Sequence, residues 1–290
     1  AMNVYEVVTE RILADMEKGG IAPWNKPWKT GEGEGPTNLV SHKEYRGVNR
    51  FLLGVQGYER PYFVTYNQAQ ALGGQVSRGA KGSPVIFWKT STRETENPDT
   101  HEVEKDKSFL LRYYTVFNVS QCEGLEGKLP ALPTTEVEPV PVIERCEAMV
   151  AAWANKPTLS HWGDRAMYQP GRDKVTMPER NKFENPEYYY STLFHELSHA
   201  TGHESRLNRK GITDIAPFGS ACYSREELVA EMGAAFLSGE MAIDNAAVAL
   251  NTVSYLEGWR KVLRADSKAI VMAAAQAQKA ADMILGRKAE

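Results

Sequence analysis

A chain of 290 residues, 42% of them hydrophobic, is long enough for one large domain or two ordinary ones and has the apolar content for folded cores. Its formal net charge of −3 excludes a strongly basic nucleic-acid coat and a heavily acidic DNA mimic, so nucleic-acid binding must come from a local patch. Cys122, Cys146 and Cys222 are widely spaced and form no C-x-x-C pair, which argues against a disulfide framework or a cysteine zinc site, and no apolar run reaches the roughly 18 residues of a membrane span.

The sequence opens on an acidic, helical stretch over Val4–Lys18, without the basic start and apolar core of a signal peptide. A cytoplasmic protein with reduced thiols and no membrane partner is expected. A first helix is predicted over residues 3–18, further helices over Val48–Leu53 and Asn67–Leu72, the last ending at Gly73-Gly74. Pro84–Trp88 and Phe109–Phe117 read as strands from their β-branched and aromatic content. The polar stretch Ser91–Ser108 between them is predicted to be a mobile loop.

Between Pro36 and Thr90 seven cations (Lys43, Arg46, Arg50, Arg60, Arg78, Lys81, Lys89) face two acids, Glu44 and Glu59, a local charge of 7 − 2 = +5. Aromatic residues are interleaved: Trp24 and Trp28 beside Lys26 and Lys29, then Tyr45, Tyr58, Tyr62, Phe63, Tyr66, Phe87 and Trp88. Cations for phosphates and flat rings for unstacked bases are what single-stranded nucleic acid requires. Trp24, Trp28, Lys43, Tyr45, Arg46, Arg50, Tyr66, Arg78, Lys81, Trp88 and Lys89 are therefore candidate DNA contacts. Gly73-Gly74 and Gly79-x-x-Gly82 would let a backbone approach closely beside Arg78 and Lys81. Composition alone fits equally well with aromatics in a core and cations on a solvated face.

Four prolines in the twelve residues Pro130–Pro141 mark an extended linker over 128–142. It divides the chain into an N-terminal domain, 1–127, and a C-terminal domain, 143–290. The second is expected to open with a helix near 143–155, to carry short strands around Tyr168 and Lys174–Met177, and to end in a long helix after Ser254. Helices beside a small sheet give an α+β architecture.

Within it, Asn185 and Pro186 start a helix whose apolar stripe is Leu193, Phe194, Leu197 and Ala200. Roughly opposite that stripe stands His195-Glu196-Leu197-Ser198-His199. Residues four apart lie one helical turn apart, so His195 and His199 can face one zinc ion, with Mn(II) or another divalent metal as substitutes. Glu196, beside them, is the candidate general base that takes a proton from an attacking water. His203 comes two residues too early for the longer H-E-x-x-H-x-x-G-x-x-H pattern, and three histidines on one straight helix span about 12 Å along its axis. It reads as a supporting residue or a C-terminal cation of the helix rather than a ligand.

A catalytic zinc usually takes a third protein ligand. Ser224–Leu237 reads as a second helix on which Glu227 and Glu231 share a face. It resembles zincins of the thermolysin kind, in which a glutamate of the second helix ligates zinc and an acid four residues later holds a ligand histidine. That resemblance implies Glu227 as ligand and Glu231 as its helper. If Ser224-x-x-Glu227 is instead a capping box, Glu231 becomes the ligand. Tyr223 and His203 are candidates for stabilising the oxyanion.

Longer motifs are Tyr45-Arg-Gly-Val-Asn49 with Leu52-Leu53, the stretch Thr65–Lys89, and Tyr114–Leu125; in the second half, His195-Glu-Leu-Ser-His-Ala-Thr-Gly-His203, Arg206-Leu207 and Glu226-Glu-Leu-Val-Ala-Glu231. Together they resemble the ArdC family of plasmid antirestriction proteins. The resemblance implies a small mixed α/β domain that binds single-stranded DNA, shared with conjugative TraC-type primases, and adds Asn49 to the candidate contacts. It also implies a C-terminal zincin-like metallopeptidase domain acting on a protein or peptide, such as a restriction-system component, to protect incoming plasmid DNA. Rival readings are a DNA-coating protein with an idle zincin site, and a DNA-stimulated protease that clears proteins from DNA. Priming of DNA synthesis is not expected, because no cluster of metal-binding carboxylates for a polymerase is evident.

Overall fold

The computed structural model describes residues 2–19, 22, 35–96, 103–130, 142–214, 221–243 and 253–288. Helix α1 (Val4–Gly19) starts with Asn3 and Glu6 exchanging hydrogen bonds, Asn3 Oδ1 accepting from the Glu6 amide and Glu6 Oε2 from the Asn3 amide. Val8, Ile12, Leu13 and Met16, spaced at helical intervals, are all buried. Helix α2 covers Val48–Gly54 and α3 covers Tyr66–Ala71, the latter opened by a reciprocal Thr65–Gln68 capping box. Strands β1 (Thr37–Asn38), β2 (Tyr62–Val64), β4 (Ser83–Glu96) and β5 (Val103–Asn118) form a sheet ordered β1-β2-β5-β4. Within this sheet β1 and β2 run parallel, and the β2–β5 and β5–β4 pairs antiparallel. A two-stranded ribbon joins β3 (Gln75–Val76) to β6 (Cys122–Glu123).

The stretch Ser91–Ser108 corrects the loop expectation. Strands β4 and β5 stay paired from Ser83↔Val116 out to Glu96↔Val103, leaving only 97–102 outside the described residues. The register sets Arg93 across from Asp106 and Glu94 across from Lys105, so the strand pairing runs on through the polar stretch.

In the second half, α4 (Val142–Ala152) leads to a three-stranded sheet ordered β7-β9-β8, built from Thr158–His161, Lys174–Met177 and Met167–Gln169. Helices α5 (Pro186–Ala200), α6 (Lys210–Thr213), α7 (Ala221–Glu240), α8 (Val253–Ala265) and α9 (Ala269–Ile284) follow. The single long helix expected after Ser254 is two, because Asp266 Oδ1 accepts the Lys268 amide at 3.0 Å and turns the chain between them. Most of the proline-rich linker, 131–141, lies outside the described residues. No helix among the described residues is long and apolar enough to cross a membrane.

The two halves share one core. Val8, Phe51, Ile86 and Leu111 from the first half belong to the same buried cluster as Phe194, Phe236 and Ala277 from the second. Phe51 and Phe236 stack with centroids 4.8 Å apart and planes 6° from parallel. Around that stack Arg50 donates to Glu240 at 2.8 Å, Arg46 pairs with Asp282, and the Gly47 amide donates to Gln278 at 3.1 Å.

Candidate metal centre

Helix α5 starts where Asn185 Oδ1 accepts the Tyr188 amide at 2.7 Å and Pro186 takes the first turn. Tyr189, Tyr190, Leu193, Phe194, Leu197 and Ala200 are buried, which fixes the rotation of the helix. His195 and His199 then meet the carboxylates of α7. The two helices pack closely because Gly233 leaves room for Ser198. A Cβ on Gly233 would stand 2.5 Å from Ser198 Oγ.

His195 Nε2 and His199 Nε2 lie 3.1 Å apart. Glu227 completes a triangle with them, Oε2 at 3.5 Å from His195 and Oε1 at 3.4 Å from His199. A tetrahedral ion with bonds of about 2.0–2.1 Å holds its donor atoms roughly 3.3 Å apart. Taking one donor atom from each residue, the three lie within 4.8 Å of one another, close enough to hold a divalent ion between two imidazole nitrogens and the Glu227 carboxylate. His195 and Glu227 keep 20% and 25% of their side-chain surface exposed, so the fourth position is reachable from solvent.

Each imidazole is backed on its other nitrogen by a carboxylate. Glu231 Oε1 lies 3.6 Å from His195 Nδ1, and Glu226 Oε1 lies 3.4 Å from His199 Nδ1. Glu231 thus faces the ring atom turned away from the triangle. Helix α7 begins at Ala221, so Ser224 sits inside its first turn and the capping-box alternative for Glu227 does not arise. Glu226 is held in turn by Arg209, whose Nε donates to Oε2 at 3.0 Å and Nη2 to Oε1 at 2.6 Å. Arg209 also donates to Thr201 Oγ1 and to the Ser198 carbonyl, locking the end of α5 to α7. Gly202 and Gly211 leave the space for this network, since a Cβ on either would crowd Arg209 or Glu226.

Glu196 is buried, and its charge acts on both histidines. Four carboxylates (Glu196, Glu226, Glu227, Glu231) against one guanidinium leave −4 + 1 = −3 around two neutral imidazoles. A divalent cation relieves that charge. Without one, protons do: burial opposes charging His199, but hydrogen bonds to Glu226 and Glu227 push its pKa up to about 10. The same balance of burial against Glu227 raises His195. Burial opposes the charge on Glu227, yet both histidines hold it well below the usual carboxylate range; burial raises Glu231 despite His195 beside it.

His203 lies past the end of α5, where the chain has turned, and its Nδ1 accepts from the Ser205 amide at 3.2 Å. It is not part of the donor triangle. Tyr223 stands on α7, but its side chain falls outside the described residues. Arg206, the other cation after the motif, donates to the Ala200 carbonyl and pairs with Asp173, tying α5 to the turn before β9. Neither Glu226 nor Arg209 carries a sequence signal of its own. The adjacency of Glu226 to Glu227 is the nearest to one.

The predicted DNA contacts divide sharply. Arg50 is 4% exposed, bonded to Glu240 and stacked over Phe236, so it is not available to a phosphate. Arg46 is held by Asp282, and Asn49 exchanges two 2.8 Å hydrogen bonds with the backbone of Ile86. Tyr45 is buried beneath Asn38 and Phe63. Arg50, Arg46 and Asn49 are corrected from DNA contacts to joints of the fold, because each has its partner inside the protein, while Tyr45 stands in the wall of a pocket. Gly74 and Gly82 likewise serve internal packing: a Cβ would meet the Glu123 carbonyl at 2.6 Å or Thr115 at 2.2 Å. Lys43, Tyr66, Arg78, Lys81, Trp88 and Lys89 are exposed. Trp24 and Trp28 fall outside the described residues.

Residues 2–117 match the family described as the N-terminal domain of anti-restriction factor ArdC, and residues 144–276 match a zincin-like metallopeptidase family. A protein of Escherichia coli named DNA primase TraC is 37% identical over 297 residues, covering 97% of this chain and 20% of the primase. This chain thus spans about a fifth of that relative's length. The y4eC protein of Sinorhizobium fredii is 35% identical over 99% of this chain and 93% of its own length. Among solved structures, the Mn(II)-bound antirestriction ArdC protein from plasmid R388 superposes with a TM-score of 0.75 at 32% identity, covering 98% of each chain.

Proposed function

The chain belongs to the ArdC family of antirestriction proteins, and on that premise we propose that it protects incoming DNA of a conjugative plasmid by binding single strands and cleaving a protein substrate. The observation that carries the peptidase reading is the cluster of His195, His199 and Glu227, whose donor atoms lie within 4.8 Å of one another, beside the buried Glu196. His195, His199 and Glu227 would hold a zinc or manganese ion, which would supply Lewis acidity to the scissile carbonyl and lower the pKa of an attacking water. Glu196 takes the proton of that water as general base and hands it to the leaving amine. Glu231 and Glu226 fix the two imidazoles from behind, keeping both Nε2 atoms turned inward.

Replacing Glu196 by Gln tests the assignment. Peptide cleavage is lost while metal and DNA binding persist; unchanged cleavage would remove Glu196 from the mechanism. The exposed aromatic and cationic hairpin favours a second reading, in which coating of single strands protects DNA without proteolysis. The same variant separates the two in an antirestriction assay, since retained protection supports coating.

A further inference from the structure

One face of the β4–β5 hairpin is exposed, aromatic and cationic. The register sets Val85 across from Tyr114, Phe87 across from Arg112 and Lys89 across from Leu110, so these six residues share one side of the sheet. Val85 is buried, whereas Phe87, Lys89, Leu110, Arg112 and Tyr114 are exposed. The rings of Phe87 and Tyr114 lie 5.6 Å apart and tilted by 59°, so they do not close on each other as a stack. Lys89 and Arg112 flank them, and no acid stands on this face between Ser83 and Lys89 or their partners.

At its inner end the face opens into a cavity of about 420 Å³ walled by Tyr114 with Asn38, Tyr45, Thr65 and Gln68. Its size falls in the range of small-molecule sites. The amides inside are held in place: Asn38 Nδ2 donates to Tyr45 and to Gln68 Oε1, and Gln68 is fixed by its capping box with Thr65. Lys43 and Glu44 also line the cavity and offset one another, so the pocket is neutral while the strip outside it is cationic. That contrast suits an uncharged heterocycle within and phosphates along the approach.

We propose that the pocket receives one unpaired nucleobase, stacked on Tyr114 beside the Asn38 and Gln68 amides, from a strand whose backbone follows Phe87, Arg112 and Lys89. Single strands are read through splayed bases that stack on aromatic rings and hydrogen-bond along their edges. A paired base cannot enter without leaving its duplex, so the pocket selects single strands. The inference rests on the single-stranded-DNA reading above and adds a location and a one-base subsite to it.

Fluorescence anisotropy of the full chain with labelled single-stranded oligonucleotides of about 12 residues tests it. An abasic site moved stepwise along the strand is expected to weaken binding about tenfold at one position and little elsewhere. Tyr114→Ala and Phe87→Ala are each expected to weaken binding about tenfold, and Tyr114→Ala erases the abasic minimum. Arg112→Ala lowers the slope of log affinity against log salt by about 0.7. A flat abasic profile on the wild-type chain, or Tyr114→Ala and Phe87→Ala binding like wild type, overturns the pocket but leaves strand binding standing. Equal affinity for the matching duplex also overturns it, whereas a wild-type chain that binds no oligonucleotide sinks the underlying reading itself. Should Tyr114→Ala fail to fold, the abasic walk on the wild type and Phe87→Ala, at an exposed ring, decide the matter.

Discussion

Glu226 grips the side of His199 that points away from Glu227: its Oε1 lies 3.4 Å from Nδ1, while Glu227 Oε1 lies 3.4 Å from Nε2. Removing such a backing carboxylate typically costs a ligand histidine 10- to 100-fold in metal affinity. Glu226→Gln is therefore expected to weaken zinc binding by about that factor, measured by competition with a chelating dye. Glu226→Ala goes further, because it strands the buried Arg209 guanidinium, at a cost of about 3–5 kcal/mol in folding stability. Wild-type zinc affinity in Glu226→Gln would show that His199 needs no help.

Metal binding must displace protons from the imidazoles, and His199 gives its proton up reluctantly, with a pKa near 10. Apparent zinc affinity is expected to climb steadily from pH 6 to pH 9, and a flat profile there would contradict the geometry. Chelator-treated protein behaves oppositely. The raised pKa of His199 contributes stability that is complete below its unfolded value of 6.5 and fades as pH rises toward about 10. The depressed pKa of Glu227 contributes stability present above its unfolded value of 4.5 and lost in acid. Thermal melts of the metal-free chain should peak between roughly pH 5 and 6.5, and saturation with metal at 100 times its Kd should add about 2.7 kcal/mol.

Gly233→Ala is expected to destabilise the protein by about 1–3 kcal/mol, since the new methyl would overlap Ser198 and force α5 and α7 apart. Metal affinity should fall with it, because those helices carry His195, His199 and Glu227. A Gly233→Ala protein with normal stability and normal zinc binding would show that the helices have slack.

The stack of Phe51 on Phe236 makes a prediction about cooperativity. Phe51→Ala should cost about 3–5 kcal/mol and lower one shared melting transition, with the metal centre lost at the same temperature as the N-terminal sheet. Two separated transitions, only one of them shifted, would refute a common core. In the same series, Arg46→Ala should leave the salt dependence of DNA binding unchanged while Lys89→Ala lowers its slope by about 0.7.

What the sequence made legible follows range of action. The His195–His199 helix could be read because its cap, first-turn proline and apolar stripe are all local. Glu227 was reachable through resemblance to other zincins, and the structure places it on the inward side of both rings. Glu226 and Arg209 were not legible, since a buried ion pair between residues 17 apart leaves no periodic trace. Counting cations misled for Arg46 and Arg50, whose partners lie 236 and 190 positions downstream. Polar alternation past Ser91 looked like a loop because a hairpin projecting from its sheet need not carry an apolar face.

The stacked pair at Phe51 and Phe236 also bears on inheritance. Severing the chain near its prolines would lay bare greasy surface on either fragment, so evolution has reason to shuffle the whole assembly and not its parts. That agrees with the Escherichia coli primase, which aligns with 97% of this chain over only 20% of its own length.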